Sequence, residues 1–399
     1  MKKESDVKNY KFALLSHVIP PSPSGQSVVL YRLLKNISSK KYCLISRENY
    51  FNSTKNNAMD KLPAPYYQLK QFPFSRPFFL PSRIFKIFKL MYLIPWRVSQ
   101  VISIMNRESC SVLVVCTGDI YDILVGSLLL FIKRPVVFYV FDDFANQPHL
   151  FSKSIAKKIQ YFFLRYAKAT IVTNEFLQNA YAKEYGAKST VIHNPILSNP
   201  LKKRQTKKKL LKKKEYTIIY TGAVYHAHYD AFKNLIDALS QIKEYTTTLH
   251  IYTFQPKSFL KRHHIYSKNV FIHSHVNQKE ITFLQKKADI LFLPLAFSSP
   301  IPEIIKTSSP CKMGEYLAVG KPILVHAPKD SYVGWYFRKY DCGLIVDKND
   351  PVALAKGIKK LITNILLQNR FIDNAQRKAY EDFTLKAAQK KFISVINAL

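Results

Sequence analysis

Short apolar runs rich in β-branched residues recur along the chain, each followed by a stretch of helical spacing. FALLSHV (12–18), YCLIS (42–46), SVLVVCT (111–117), PVVFYVF (135–141), ATIVTN (169–174) and STVIHNP (189–195) form one series. Their apolar character is mostly continuous rather than alternating, which suits parallel strands covered on both faces. Helical segments fall between them. A helix starting near Ser27 has Val28, Leu30, Leu33 and Leu34 on its apolar side, after a Pro/Ser/Gly loop, PPSPSGQ. In 151–168, Ile155, Ile159, Phe162 and Tyr166 recur at i, i+4, i+7 and i+11, which predicts a helix packed through that stripe. Strand–helix alternation of this kind predicts a doubly wound α/β domain.

The series then stops. Residues 200–215, PLKKRQTKKKLLKKKE, are nearly all Lys and Arg, and the alternation restarts after them with YTIIYTG (216–222), TLHIYTF (248–254), NVFIHSHV (269–276), ADILFLPL (288–295), KPILVHA (321–327) and GLIVD (343–347). Helices are expected around 231–242, 278–287 and 309–319. Another follows Asp350-Pro351, which supply an N-cap and a first-turn proline, and a last one spans about 384–399. At 399 residues, two domains fit the length. The expected organisation is 1–199, a basic linker at 200–215, 216–383, and a C-terminal helix at 384–399 with a return to the first domain as one option. Two such domains place a cleft between them. Ligands of open α/β sheets lie beyond the carboxyl ends of the strands, which directs attention to loops 19–26, 142–149, 222–229, 276–278 and 296–309.

Charge narrows the partners. Lys+Arg number 61 against 26 Asp+Glu, a net charge of +35, so a polyanionic partner is expected: nucleic acid, anionic headgroups or phosphorylated substrates. Five cysteines without regular spacing argue against a disulfide scaffold or a zinc knuckle and suit a reducing cytosol. FALLSHV is too short for a signal-peptide core, and no run reaches the 18–20 apolar residues of a spanning helix. Residues 76–97, RPFFLPSRIFKIFKLMYLIPWR, set Arg83, Lys86 and Lys89 on one stripe among aromatic and aliphatic residues. That is the make-up of an interfacial amphipathic helix, or of a helix packed inside the first domain. The 200–215 run is either a solvated linker or a patch facing anionic lipid. Together these features lead us to expect a cytoplasmic protein, peripheral on the inner face of the membrane.

The segment 288–328, ADILFLPLAFSSPIPEIIKTSSPCKMGEYLAVGKPILVHAP, is the most informative. A buried strand ends in a loop of Ser, Pro and Thr; Ser309 and Pro310 then read as N-cap and first residue of a helix. A helix N-terminus carries about half a positive charge and unpaired N–H groups, a ready phosphate site. Lys312 adds a full charge, and Glu315 can accept hydrogen bonds from two vicinal hydroxyls such as those of a ribose. Together these read as a nucleoside-diphosphate site.

This segment resembles the C-terminal signature of GT-B glycosyltransferases grouped in retaining family 4, in a bacterial subgroup reading SPxKxxEYLAxGKP. YTIIYTGAVYHAHYDAFKNLIDAL, PVVFYVFDDF, ATIVTNEFLQNAYAKEYGAKSTVIHNPI and PPSPSGQSVVLYRLL are similar to further stretches of that family, in order. The resemblance implies a GT-B fold of two Rossmann-like domains facing a cleft, and transfer of a sugar from a nucleotide sugar to a glycan or lipid-linked acceptor in surface polysaccharide synthesis. It implies retention at the anomeric carbon, with the donor's phosphate taking the acceptor's proton, and neither metal nor other cofactor beyond the donor itself. Donor-binding candidates are Gly25, Gln26, Gly222, Val276, Thr307, Ser308, Ser309, Cys311, Lys312 and Glu315; catalytic candidates are Asp142 and Asp143. Thr307 stands where many members carry a first Glu, and Phe141 where many carry a His. Ala223, Val224, Tyr225 and His226 follow Gly222 where the family often has basic residues; Lys306, Lys312, His226 and His228 are the candidate substitutes.

Two other readings stand beside this one. A GT-B epimerase would need two acid/base carboxylates, for which only the 142–143 pair offers. A non-catalytic polyanion binder would use the charge alone. Nucleic acid is the poorer partner, because the Lys run has no aromatic residue until Tyr216. The histidines at 226, 228, 263, 264, 273 and 275 match no helix-borne zinc motif.

Overall fold

The computed structural model describes residues 10–22, 24–48, 61–71, 82–147, 153–197, 214–274, 276 and 278–399. Most of the 200–215 run, the 76–81 end of the basic-aromatic stretch and His275 lie outside these residues.

The chain forms two compact units, one of residues up to His193 with Ala388–Leu399, the other Asn194–Ala387. In the first, the elements run β1 (Phe12–Leu15), α1 (Gly25–Leu34), β2 (Tyr42–Ser46), β3 (Tyr66–Gln68), α2 (Ser82–Arg107), β4 (Val112–Cys116), α3 (Ile120–Phe131), β5 (Val136–Val140), α4 (Lys153–Tyr166), β6 (Ala169–Val172), α5 (Glu175–Tyr185) and β7 (Thr190–Val191). The strands pair in parallel, in the order β3-β2-β1-β4-β5-β6-β7. Every residue of β1, β2, β4 and β5 is buried, as their continuous apolar sequences predict.

The second unit holds β8 (Glu215–Thr221), α6 (Tyr229–Gln241), β9 (Thr246–Tyr252), α7 (Lys257–Arg262), β10 (Val270–His273), α8 (Gln278–Lys287), β11 (Ile290–Pro294), α9 (Pro302–Thr307), α10 (Cys311–Val319), β12 (Ile323–His326), α11 (Tyr332–Tyr340), β13 (Leu344–Val346), α12 (Pro351–Thr363), α13 (Ile365–Asp382) and the start of α14 (Leu385–Asn397). Its sheet, also parallel, has the order β10-β9-β8-β11-β12-β13. In both sheets the chain reverses direction beside its first strand, at β1/β4 and at β8/β11. These are the switch points beyond which ligands bind in such folds.

From Ala388 onward α14 packs with the first unit. Phe392 is fully buried, edge-on to Phe12 at 5.4 Å and near Tyr139 at 6.3 Å. Gln389 Nε2 donates to the Leu33 carbonyl at 2.9 Å.

Three local expectations are corrected. The stripe predicted to bury α4 is partly outward: Ile155 and Tyr166 are exposed, and Ala156, Gln160, Phe163 and Leu164 face the core. Gln160 is inside because its Oε1 accepts the Ala145 N–H, a polar pairing that apolar periodicity does not register. Helix α1 begins at Gly25, ahead of Ser27, because the Ser24 side chain accepts the Ser27 N–H and caps it. Val29 rather than Val28 joins its buried face. The expected loop at 296–309 contains α9, which Pro302 opens.

Phe392→Ala should cost the first unit about 3–5 kcal/mol, read as a lower urea midpoint for that unit.

Candidate functional site

The carboxyl ends of β8 and β11 bring the main sequence candidates together. Gly222 follows β8 with φ +125°, a conformation that favours glycine. A Cβ there would lie 3.0 Å from Lys312 Cε and 3.2 Å from its Nζ. The ammonium of Lys312 thus rests against the bare backbone of Gly222, at the point where the sequence lacks its own cations. Its Nζ donates to the Tyr220 hydroxyl at 2.6 Å and lies 4.2 Å from that ring's centroid. The Tyr220 hydroxyl in turn donates to the Ala223 carbonyl. Burial lowers the Lys312 pKa to about 8, against smaller opposing effects of Cys311 and Glu315.

Lys312 and Glu315 belong to α10. Its N-cap is Pro310, in extended backbone (φ −61°, ψ 133°), and not Ser309; the Pro310 carbonyl accepts the Met313 N–H at 2.9 Å. The extended ψ of Pro310 delays the helix by one residue and leaves its start without a side-chain cap. The Ser309 carbonyl accepts from Asn194 Nδ2 at 2.8 Å. Ser308 is buried in extended backbone between α9 and α10. Cys311, half-buried, opens α10. Thr307 Oγ1 donates back to the Glu303 carbonyl at 3.2 Å, within α9. Lys306 pairs with Asp330 at 3.3 Å, both exposed, so its charge is met at the surface.

Glu315 is half-buried, and Gln285 of α8 holds it: Gln285 Nε2 donates to Glu315 Oε2 at 3.3 Å and to Thr221 Oγ1 at 3.0 Å. The Thr221 N–H donates to the Tyr316 hydroxyl at 3.0 Å, so the end of β8 is tied to α10 directly as well as through Gln285. On the other side, Asp230 Oδ2 accepts from the N–H groups of Phe297 and Ser298, at 2.9 and 2.8 Å, pinning the loop after β11 to the start of α6. His226 Nδ1 reaches Ser299 Oγ at 3.3 Å. His228 is buried beside Tyr220 and Tyr225; burial, with Lys312 and His226 nearby, drives its pKa well below the ordinary value, so the imidazole is neutral. Val276 lies half-buried after β10, the edge strand of this sheet.

The other candidates belong to the first unit. Gly25 is the exposed first residue of α1, and Gln26 Nε2 donates to Ser16 Oγ at 2.9 Å. Asp143 is held: Asn146 Nδ2 donates to Oδ2, and the Tyr181 hydroxyl to Oδ1 at 3.3 Å. Asp142 is exposed, its N–H 3.4 Å from Thr117 Oγ1. The pair therefore divides, with one carboxylate built into the fold and one at the surface. The same sheet edge carries a charged group that sequence spacing did not bring out. Arg47 pairs with Asp119 at 2.5 Å, Asp119 caps α3, and His17 packs on Gly118 (φ +120°). Among the described residues no three His, Cys, Asp or Glu side chains gather as metal ligands.

This geometry joins a helix start, a half-buried lysine and a positive-φ glycine at a switch point, with a carboxylate one helical turn away. Residues 202–378 match the family model Glycosyl transferases group 1. The matched segment contains Gly222, Lys312 and Glu315. No curated protein matches the sequence. Among solved structures, the Anabaena protein HepE in complex with UDP-glucose is 16% identical, with a TM-score of 0.70 over 98% of this chain and 100% of that one. A sucrose-phosphate synthase from Thermosynechococcus elongatus is 13% identical, with a TM-score of 0.69 over 98% of both chains. A putative UDP-N-acetylglucosamine 2-epimerase from Listeria monocytogenes is 8% identical, with a TM-score of 0.56 over 98% and 96%. The chain has the GT-B fold of two Rossmann-like domains, which a sucrose-phosphate synthase and a putative 2-epimerase share, so the fold alone does not fix the reaction.

Lys312 is charged below about pH 8 and loses its proton as the pH rises through that value. Affinity for a nucleoside diphosphate should therefore fall between pH 8 and 10, where an ordinary lysine stays charged. In Lys312→Arg, whose guanidinium keeps its proton, calorimetric titration should find that fall absent.

Proposed function

We propose that this protein is a glycosyltransferase that takes a sugar from a nucleoside-diphosphate sugar and attaches it to a hydroxyl of a glycan or lipid-linked acceptor. The observation that carries the reading is the Lys312 ammonium held between Tyr220 and Gly222 at the start of α10. A transferase must stabilise a departing diphosphate, and positive charge fixed in a poorly solvated site is the strongest means of doing so. Lys312 and the α10 N-terminus meet the β-phosphate, and Glu315, oriented by Gln285, accepts from the ribose hydroxyls. The bond from the anomeric carbon to the phosphate oxygen breaks, and the bond to the acceptor oxygen forms on the same face, with retention. The acceptor's proton passes to the departing phosphate. The charge is met by protein groups, so the reaction runs without a metal ion. Asp142 is assigned to the acceptor or the transferred sugar, and the first unit to acceptor binding. Acceptors of this kind belong to bacterial surface polysaccharide synthesis at the inner face of the membrane, in keeping with the +35 charge.

Thermal unfolding with UDP, GDP, ADP, CMP and dTDP tests the donor site, since a ligand bound by the native state raises the midpoint. One nucleoside diphosphate should stabilise the protein, and Glu315→Ala should weaken that ligand about 10- to 100-fold, as expected for loss of charged hydrogen bonds. No shift with any of them in folded protein would overturn the reading. Incubation with the matching nucleotide sugar then separates the two chemistries. A transferase releases free nucleoside diphosphate, faster with acceptor. An epimerase returns an altered sugar still attached to its nucleotide.

A further inference from the structure

Helix α2 is apolar on two faces. Leu90, Leu93, Ile94, Val101, Ile104 and Met105 are buried in the first unit. A second stripe, Ile84, Ile87, Phe88, Met91 and Tyr92, is exposed, with Met91 at 70%. Its spacing of i, i+3, i+4, i+7 and i+8 keeps it on one side of the helix. Farther along, Pro95, Val98, Ser99 and Ile102 line a groove against α3, whose end supplies Leu128, Phe131 and Ile132. Phe131 is 76% exposed. An apolar surface of this continuity on a soluble domain marks an interaction site.

Charge identifies the occupant. The sequence of α2 has no acid; among its described basic side chains Lys89 is half-buried beside the stripe and Arg107 is exposed at the far end, whereas Arg97 is buried in the first unit. Lys133 and Arg134, both exposed, follow Ile132 directly. The one acid of α3, Asp122, is buried. Trp96 is half-buried at the border of the stripe, 5.8 Å from the Tyr92 ring, as aromatic residues stand at the headgroup level of a bilayer. A second copy of the chain would bring another +35 against the first, which opposes pairing through this basic face. No described helix is long and apolar enough to cross a membrane, so the stripe would lie in the interface plane.

We propose that the exposed stripe of α2, with the end of α3, docks the first unit onto an anionic lipid surface. This gives the membrane partnership proposed above a specific surface and rests on that part of the reading alone.

The test uses full-length protein carrying Trp335→Phe, which leaves Trp96 as the only tryptophan. Vesicles of phosphatidylcholine with phosphatidylglycerol should bind it and shift Trp96 emission to the blue; phosphatidylcholine alone should bind it weakly. Phe88→Glu combined with Met91→Glu should lower partitioning about tenfold or more. Stabilisation by a nucleoside diphosphate should stay unchanged in that variant, which reports that it is folded. Three results would overturn the docking surface: no binding to anionic vesicles, undiminished binding by the double variant with loss only when the lysines of 202–214 become Gln, or a dimer in solution that the double variant dissolves. Nucleotide binding that persists in any of these cases would leave the transferase reading standing. Its absence beside intact vesicle binding would remove that reading and keep the surface.

Discussion

The ammonium of Lys312 is held on the hydroxyl and ring face of Tyr220, with Cys311 and Glu315 near enough to oppose the effect of burial, and the ends of β8 and β11 are built around that arrangement. Withdrawing a cation from water is costly, and the pKa of Lys312 is lowered mainly for that reason. Such a site favours an anion. The surrounding bonds keep the lysine where an anion would find it. The Tyr220 hydroxyl is fixed by the Ala223 carbonyl, and a Cβ at Gly222 would crowd the Lys312 side chain at 3.0–3.2 Å. Gln285 and Tyr316 lock α10 to the end of β8.

The topology explains why these groups can meet. Lys312 and Gly222 are ninety positions apart in sequence, yet the order β9-β8-β11-β12 sets β8 beside β11, so the loops that follow them open on the same edge. The first unit repeats the arrangement at β1 and β4, where His17, Gly118 and Asp119 gather. One edge holds the Lys312 ammonium against Gly222. The other holds a mixed set of charges, with Arg47 paired to Asp119.

Much of this was legible in the sequence, for reasons that also explain the rest. Strands buried on both faces write themselves as unbroken apolar runs, so β1, β4, β5 and β11 stand where the runs are. Short elements with polar or aromatic composition, such as β3, α7 and α11, leave no such trace. Helix α4 was oriented wrongly because Gln160, a polar residue, is inside and Tyr166 is outside. Lys312, Glu315 and Gly222 were legible as candidates through local motifs. Tyr220, Gln285, Asp230 and His228 were not, because each acts through a partner distant in sequence, or from a position that reads simply as strand or helix start. That Lys312 lies against Gly222, where the sequence lacks its own cations, is likewise a matter of packing. Lys306, another candidate substitute, instead pairs with Asp330 at the surface.

The most direct measurement is a crystal structure of the protein with its nucleoside-diphosphate sugar bound. The account predicts the β-phosphate within hydrogen-bond distance of Lys312 Nζ and the start of α10, with both ribose hydroxyls on Glu315. A nucleotide bound away from the ends of β8 and β11, with Lys312 still seated on Tyr220 alone, would contradict it.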